Sequence, residues 1–151
     1  MHRTVLLTGS AGLVGTALAD HLRRRGLHVR TLDLRDPDAP ADVRDLEAVR
    51  WAMSGCTGVI HLAAVSRVIW GERDPEACRA TNVGGTRLVL EAALASSARP
   101  WLIFASSREV YGEPLNFPVT EDAALAPINV YGRTKITGER LVDEALAGDL
   151  G

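Results

Sequence analysis

An α/β fold built on a doubly wound parallel sheet is the architecture this sequence predicts. Apolar runs of strand length alternate along it with longer stretches of helical period. The first of those runs passes straight into three glycines spaced by three, Gly9, Gly12 and Gly15. An acid, Asp33, closes the second run. Alternation of this kind implies strands joined by crossover helices on both faces of one sheet. With 151 residues, 46% of them hydrophobic, the chain is long enough for one domain with a substantial core and too short for two.

Residues 4–7 form a short apolar run stopped by Gly9, which predicts a buried strand. Leu13, Ala17, Leu18 and Leu22 then recur on one face of a helix over 13–25, and Gly26 supplies its stop. The only basic run, Arg23, Arg24 and Arg25, falls at that helix's C-terminal end, where cations complement the dipole; it reads as a solvated cap. Residues 29–34 predict the second strand, and the prolines and aspartates of 36–42 a loop. Asp45 is placed to cap a short helix through Leu46, Val49 and Met53. A third strand is expected over 58–63 and a fourth over 101–105, with a long helix between them from Pro75 to about residue 97. That helix carries Leu88, Val89, Ala92 and Ala93 on its apolar side. A proline-punctuated loop, 107–128, precedes a final helix over about 130–147.

The net charge of −2, with both signs interspersed, points away from nucleic acid and from anionic membranes as partners. Cys56 and Cys78 have neither metal-ligand spacing nor the look of a disulfide framework, so no metal is expected and a reducing, cytoplasmic setting is inferred. The apolar stretch at the N-terminus is too short for a signal peptide or a membrane span.

The glycine pattern has a mechanical reading. One glycine permits a tight turn off the strand, a second lets the backbone approach a pyrophosphate, and a third lets the helix pack against the strand. The helix N-terminus then supplies amide donors and positive potential to the phosphates. Asp33, at the end of the second strand, can accept from both ribose hydroxyls of NAD and would repel the extra phosphate of NADP. Arg35 is close enough in sequence to turn toward such a phosphate, so NAD is favoured on the acid alone.

Near the other end, Tyr131 and Lys135 stand four apart, on one face of a helix. A phenol is a poor base at neutral pH, but a neighbouring ammonium together with a positive nicotinamide ring stabilises the phenolate. A hydroxyl is then needed to hold the substrate oxygen, and Ser106 and Ser107 follow a predicted strand end where such a group belongs.

Five ordered motifs now coincide: T-G-S-A-G-L-V-G (8–15), H-L-A-A (61–64), N-V-G-G-T (82–86), S-S-R-E-V-Y-G (106–112) and Y-G-R-T-K (131–135). With these the chain resembles the extended short-chain dehydrogenase/reductase family over its whole length, and in particular its NAD-dependent nucleotide-sugar epimerase/dehydratase branch. That resemblance implies a Rossmann fold and NAD as cofactor. It makes Tyr131 the general base, Lys135 its partner, which also holds the nicotinamide ribose, and Ser107 the catalytic serine, with Ser106 on the cofactor side or structural. Gly9, Ala11, Gly12, Leu13, Val14, Gly15, Asp33 and Leu34 would all bind the cofactor, as would Tyr131 and Lys135. Asp45 would read the adenine amine beside Leu46, while Leu62, Ala63 and Ala64 would lie under the cofactor. Asn82 would order the active-site helix and touch the cofactor, and His61 would be a packed strand residue.

The implied chemistry is transient oxidation of a nucleotide sugar to a keto-sugar. Epimerases return the hydride to the other face, dehydratases first eliminate water, and decarboxylases lose carbon dioxide. Glu109 occupies a position that serves the later steps in dehydratases and decarboxylases, but Arg108 stands where one dehydratase group carries aspartate. An epimerase is therefore preferred, with a solvent-facing Glu109 as the competing reading; dehydratase, decarboxylase and sugar or uronate dehydrogenase remain alternatives. Family members run to about twice this length, so further strands and a substrate domain are expected to be missing from residues 1–151. A non-catalytic NAD-binding module is the alternative of a different class. The resemblance also implies a homodimer formed through the two long helices, for which Leu88, Ala92, Leu141 and Ala145 are candidates, unless they face their own core. An exposed sheet edge with apolar surface should accompany the missing strands.

Overall fold

The computed structural model describes residues 3–148. Four parallel strands, β1 (Thr4–Thr8), β2 (His28–Leu32), β3 (Gly58–His61) and β4 (Trp101–Phe104), lie in the order β2-β1-β3-β4. Helix α1 (Leu13–Arg24) joins β1 to β2, and α2 (Leu46–Met53) leads into β3. Between β3 and β4 come α3 (Val68–Arg73), α4 (Pro75–Arg79), a π-helical turn (Ala80–Gly84) and α5 (Gly85–Ala95). A 3-10 turn (Arg108–Val110) and α6 (Val130–Ala147) complete the described chain. This is a Rossmann fold, with helices on both faces of a parallel sheet.

Alternation along β1 divides the core into two layers. Val5 and Leu7 face one way and pack with Ala19 of α1 and Ile60 of β3. Leu6 faces the other way, among Leu32, Val49, Met53, Val59 and Val89, beneath α2 and α5. Both faces are covered, so the central strands read as unbroken apolar runs. The order reverses between β1 and β3, so the loops leaving their C-terminal ends diverge and open a crevice.

Several boundaries differ from expectation. Asp33 and Leu34 lie just beyond β2, and Leu62 and Ala63 just beyond β3, because the chain peels out of the sheet into the crevice. The expected 75–97 helix is interrupted by the π turn, a feature that residue periodicity does not encode. Helix α3, at six residues, is too short to display a helical period and lies between the expected third strand and the expected 75–97 helix, where sequence assigns no element; Arg67 sits at its N-cap. The 3-10 turn falls inside the expected 107–128 loop. Ala92 and Leu141 are buried within this chain, which places both in its own interior. Strand β4 pairs on one side only, and Trp101 and Ile103 on it are about half exposed, as the expected open edge requires. Among the described residues, no helix is long and apolar enough to cross a membrane, and no group of three or more potential metal ligands occurs.

Candidate active site

A cavity of about 370 Å³ occupies the crevice, lined by Gly9, Gly12, Asp33, Leu34, Leu62, Ala63 and Ala64 among the expected residues. Gly9 turns the chain at φ +72°, and a Cβ on it would stand 2.6 Å from the Ala63 nitrogen. Only glycine lets strand ends β1 and β3 approach this closely. A Cβ on Gly15 would stand 2.2 Å from the Gly9 oxygen, so that residue seats α1 against the loop and does not line the cavity. Gly12 is the N-cap of α1, with no side-chain cap and no acid in the first turn. Leu13 and Val14 project from that turn into solvent. An uncapped helix N-terminus at the mouth of a glycine-walled cavity is the donor set that a pyrophosphate requires. The residues present therefore fit a dinucleotide.

Asp33 is only 6% exposed. Its Oδ2 accepts from the Ala11 amide at 3.0 Å and its Oδ1 from the Arg35 amide at 2.8 Å. This fixes the carboxylate on the cavity wall with lone pairs left for ribose hydroxyls. The Arg35 guanidinium, 68% exposed, lies 3.4 Å from Asp33 Oδ1 and also lines the cavity.

Four more expected cofactor residues are placed otherwise. Asp45 and Leu46 are not on the cavity wall: Asp45 accepts from the Glu47 and Ala48 amides at 3.0 and 3.3 Å and caps α2. Asp42 and Val43 line the cavity instead, with Asp42 clamped by the Arg44 guanidinium at 2.6 and 2.8 Å. Two aspartates three residues apart are indistinguishable by spacing, and only the cap geometry separates them. Ser106 donates its hydroxyl to the Glu139 carboxylate and so points along α6, away from the cavity wall. Asn82 is buried beneath the wall: its Oδ1 accepts from the Val65 amide at 2.7 Å, and its Nδ2 donates to the Thr134 hydroxyl at 2.9 Å. It orders the active-site helix without lining the cavity. Sequence reasoning missed Ala41, Val65, Ser66, Trp70 and Thr81 as lining residues, since none carries a distinctive motif.

The catalytic residues converge on α6. Asn129 caps this helix, its Oδ1 accepting from the Gly132 amide at 2.7 Å, and Glu72 of α3 accepts from the Val130 amide at 2.7 Å. Tyr131 and Lys135 are both buried, with the Lys135 Nζ 5.8 Å from the Tyr131 ring centroid. That ammonium donates to the Ala105 oxygen at 2.7 Å and lies 4.8 Å from the Phe104 ring centroid, which anchors it at the end of β4. Burial drives the Lys135 pKa down to about 8, opposed by Cys78 and Glu139. The Tyr131 phenol is pushed up by burial, with the Ser107 hydroxyl beside it pulling the other way. Without a bound cofactor the phenol therefore stands above its ordinary value. Ser107 begins the 3-10 turn, its Oγ accepting from the Glu109 amide at 3.3 Å. Glu109 is not solvent-facing. Its carboxylate is 17% exposed, accepts from Asn129 Nδ2 at 2.6 Å, and pairs with Arg108 at 2.8 Å.

The profile of the NAD dependent epimerase/dehydratase family matches residues 5–149. The chain belongs to that family. A UDP-glucose 4-epimerase of Streptomyces lividans is 36% identical over 162 residues, covering 97% of this chain and 49% of the relative. Among solved structures, a short-chain dehydrogenase/reductase superfamily protein from Agrobacterium tumefaciens with bound NAD is similar at 41% identity and a TM-score of 0.84, covering 93% of this chain and 44% of that one. The UDP-glucose 4-epimerase from Brucella ovis in complex with NAD matches at 33% identity and a TM-score of 0.87, over 96% of this chain and 48% of that one. The chain thus spans about half the length of the relatives it matches. The cofactor of this NAD-dependent family is the dinucleotide that the glycine-walled cavity fits.

Proposed function

We propose that residues 1–151 are the NAD-binding and acid-base portion of an enzyme that epimerises a nucleotide sugar through a transient keto-sugar. The observation that carries this reading is the assembly of Ser107, Tyr131 and Lys135 around the first turns of α6, with Lys135 anchored on the Ala105 oxygen just past β4. NAD, when bound, supplies a hydride acceptor that can return the hydride. The Tyr131 phenolate takes the proton of a sugar hydroxyl, Ser107 holds the same oxygen in line, and Lys135 supplies the positive field. Asp33 takes the adenosine ribose, and Asp42, with Val43 beside it, takes the adenine amine. The substrate domain is assigned to sequence beyond these residues.

Glu109 favours epimerisation over dehydration or decarboxylation. Its carboxylate accepts from Asn129 and pairs with Arg108, which ties the 3-10 turn to the cap of α6 and gives Glu109 a structural role that needs no later acid-base step.

The test is turnover of UDP-hexoses and UDP-uronates by the longest natural form of the protein. Epimerisation at one carbon, abolished by Tyr131→Phe with NAD still bound, is expected. Good NAD affinity without turnover of any such substrate would instead establish a non-catalytic binding module. The 151-residue chain by itself is expected to bind NAD and leave the sugar unchanged.

A further inference from the structure

We propose that His61 is a positioning residue for the cofactor cavity, held as the neutral imidazole with its proton on Nε2. The assignment follows from counting hydrogens. The Thr86 hydroxyl donates its single hydrogen to the Asn82 oxygen at 2.6 Å. Toward His61 Nε2, 3.0 Å away, it can only accept, so Nε2 carries the proton. Nδ1 is then bare and accepts from the Thr8 hydroxyl at 2.6 Å. With that hydrogen spent, the Thr8 oxygen accepts from the Ala63 amide at 3.2 Å.

One directed chain therefore runs from the Ala63 amide through Thr8, His61 and Thr86 to the backbone of Asn82. The Asn82 side chain then grips Val65 from both sides, accepting from its amide at 2.7 Å and donating to its oxygen at 3.2 Å. It also reaches the Thr134 hydroxyl, which donates to the Tyr131 oxygen at 2.7 Å. Ala63 and Val65 line the cavity on either side of Ala64, so alternate residues of that wall are held from beneath by one network. The same network is tied to the first turn of the catalytic helix. His61 is 1% exposed, and burial, helped by the Lys135 charge, keeps it neutral. A histidine that merely packed beneath Phe104 would need neither a fixed tautomer nor hydroxyls at both nitrogens.

This rests on the cavity being the NAD site, but the tautomer can be read without NAD. Long-range nitrogen–proton correlation spectra of the intact protein, with NAD titrations alongside, are the experiment. A single Nε2-protonated tautomer for His61 is expected. Thr8→Val and Thr86→Val, which keep shape and remove a hydroxyl, should each weaken NAD binding about tenfold, while Thr8→Ser and Thr86→Ser stay near wild type. An Nδ1-protonated ring or a tautomer mixture would overturn the proposal, whether or not the valine variants fold. So would valine variants that bind NAD as tightly as wild type. Failure of wild type to bind NAD, with the tautomer as stated, would overturn the reading of the cavity instead.

Discussion

Mild acid, between pH 7 and 5, should destabilise this protein through His61. The pKa of His61 falls to about 3 from an ordinary 6.5, chiefly because burial penalises the charged ring. A histidine whose folded pKa lies below its unfolded value binds its proton only on unfolding in the window between the two. Its neutral burial is therefore without cost above pH 6.5, and stability is lost as pH falls from 6.5 toward 3. At pH 5 the loss relative to pH 7 is about 2 kcal/mol, since each pH unit below the unfolded pKa is worth ~1.4 kcal/mol and the folded ring is still unprotonated. The size at pH 5 depends on the unfolded value alone, provided that the folded pKa lies well below 5. The assay is urea unfolding of wild type and His61→Gln at pH 7 and pH 5. Glutamine does not titrate and offers a donor toward Thr86. The variant will be less stable at both values, but its pH 7-to-5 loss should be smaller than wild type's by about 2 kcal/mol. Equal losses in the two proteins would refute a buried neutral His61.

Lys135 acts in the same sense in an alkaline window. Its pKa is depressed from 10.5 to about 8, so the folded protein should gain about 1 kcal/mol between pH 7 and 9, as unfolding there takes up a proton. Lys135→Met should show no such gain in the same urea titrations. Asp45→Ala should cost about 1 kcal/mol in thermal or urea unfolding, through the lost α2 cap, and leave NAD affinity unchanged, whereas Asp42→Ala should weaken NAD binding. Gly15→Ala places a methyl 2.2 Å from the Gly9 oxygen, and an unfolding curve should show it destabilised by about 2 kcal/mol or more.

Motif residues with a strict backbone requirement were legible from sequence. The left-handed turn at Gly9 and the tight seat of Gly15 against the Gly9 oxygen are local requirements that spacing encodes, and the four-residue step from Tyr131 to Lys135 survives intact in α6. What sequence did not carry was the destination of short polar side chains. Asp45 and Asp42 differ only in which one meets free helix amides, and Ser106 and Ser107 only in which one meets Glu139. Those outcomes depend on where α2 and α6 settle in the tertiary structure. The fixed orientation of His61 was likewise invisible, because its partners Thr8 and Thr86 stand 53 and 25 residues away. Helix α3 and the π turn escaped because neither is long enough to set a period.

Calorimetric titration of the chain with NAD, and separately with NADP, tests the central claim most directly. One saturable NAD site is expected, with NADP at least about tenfold weaker because the Asp33 carboxylate faces the added phosphate. Absence of saturable NAD binding, or tighter binding of NADP, would contradict it.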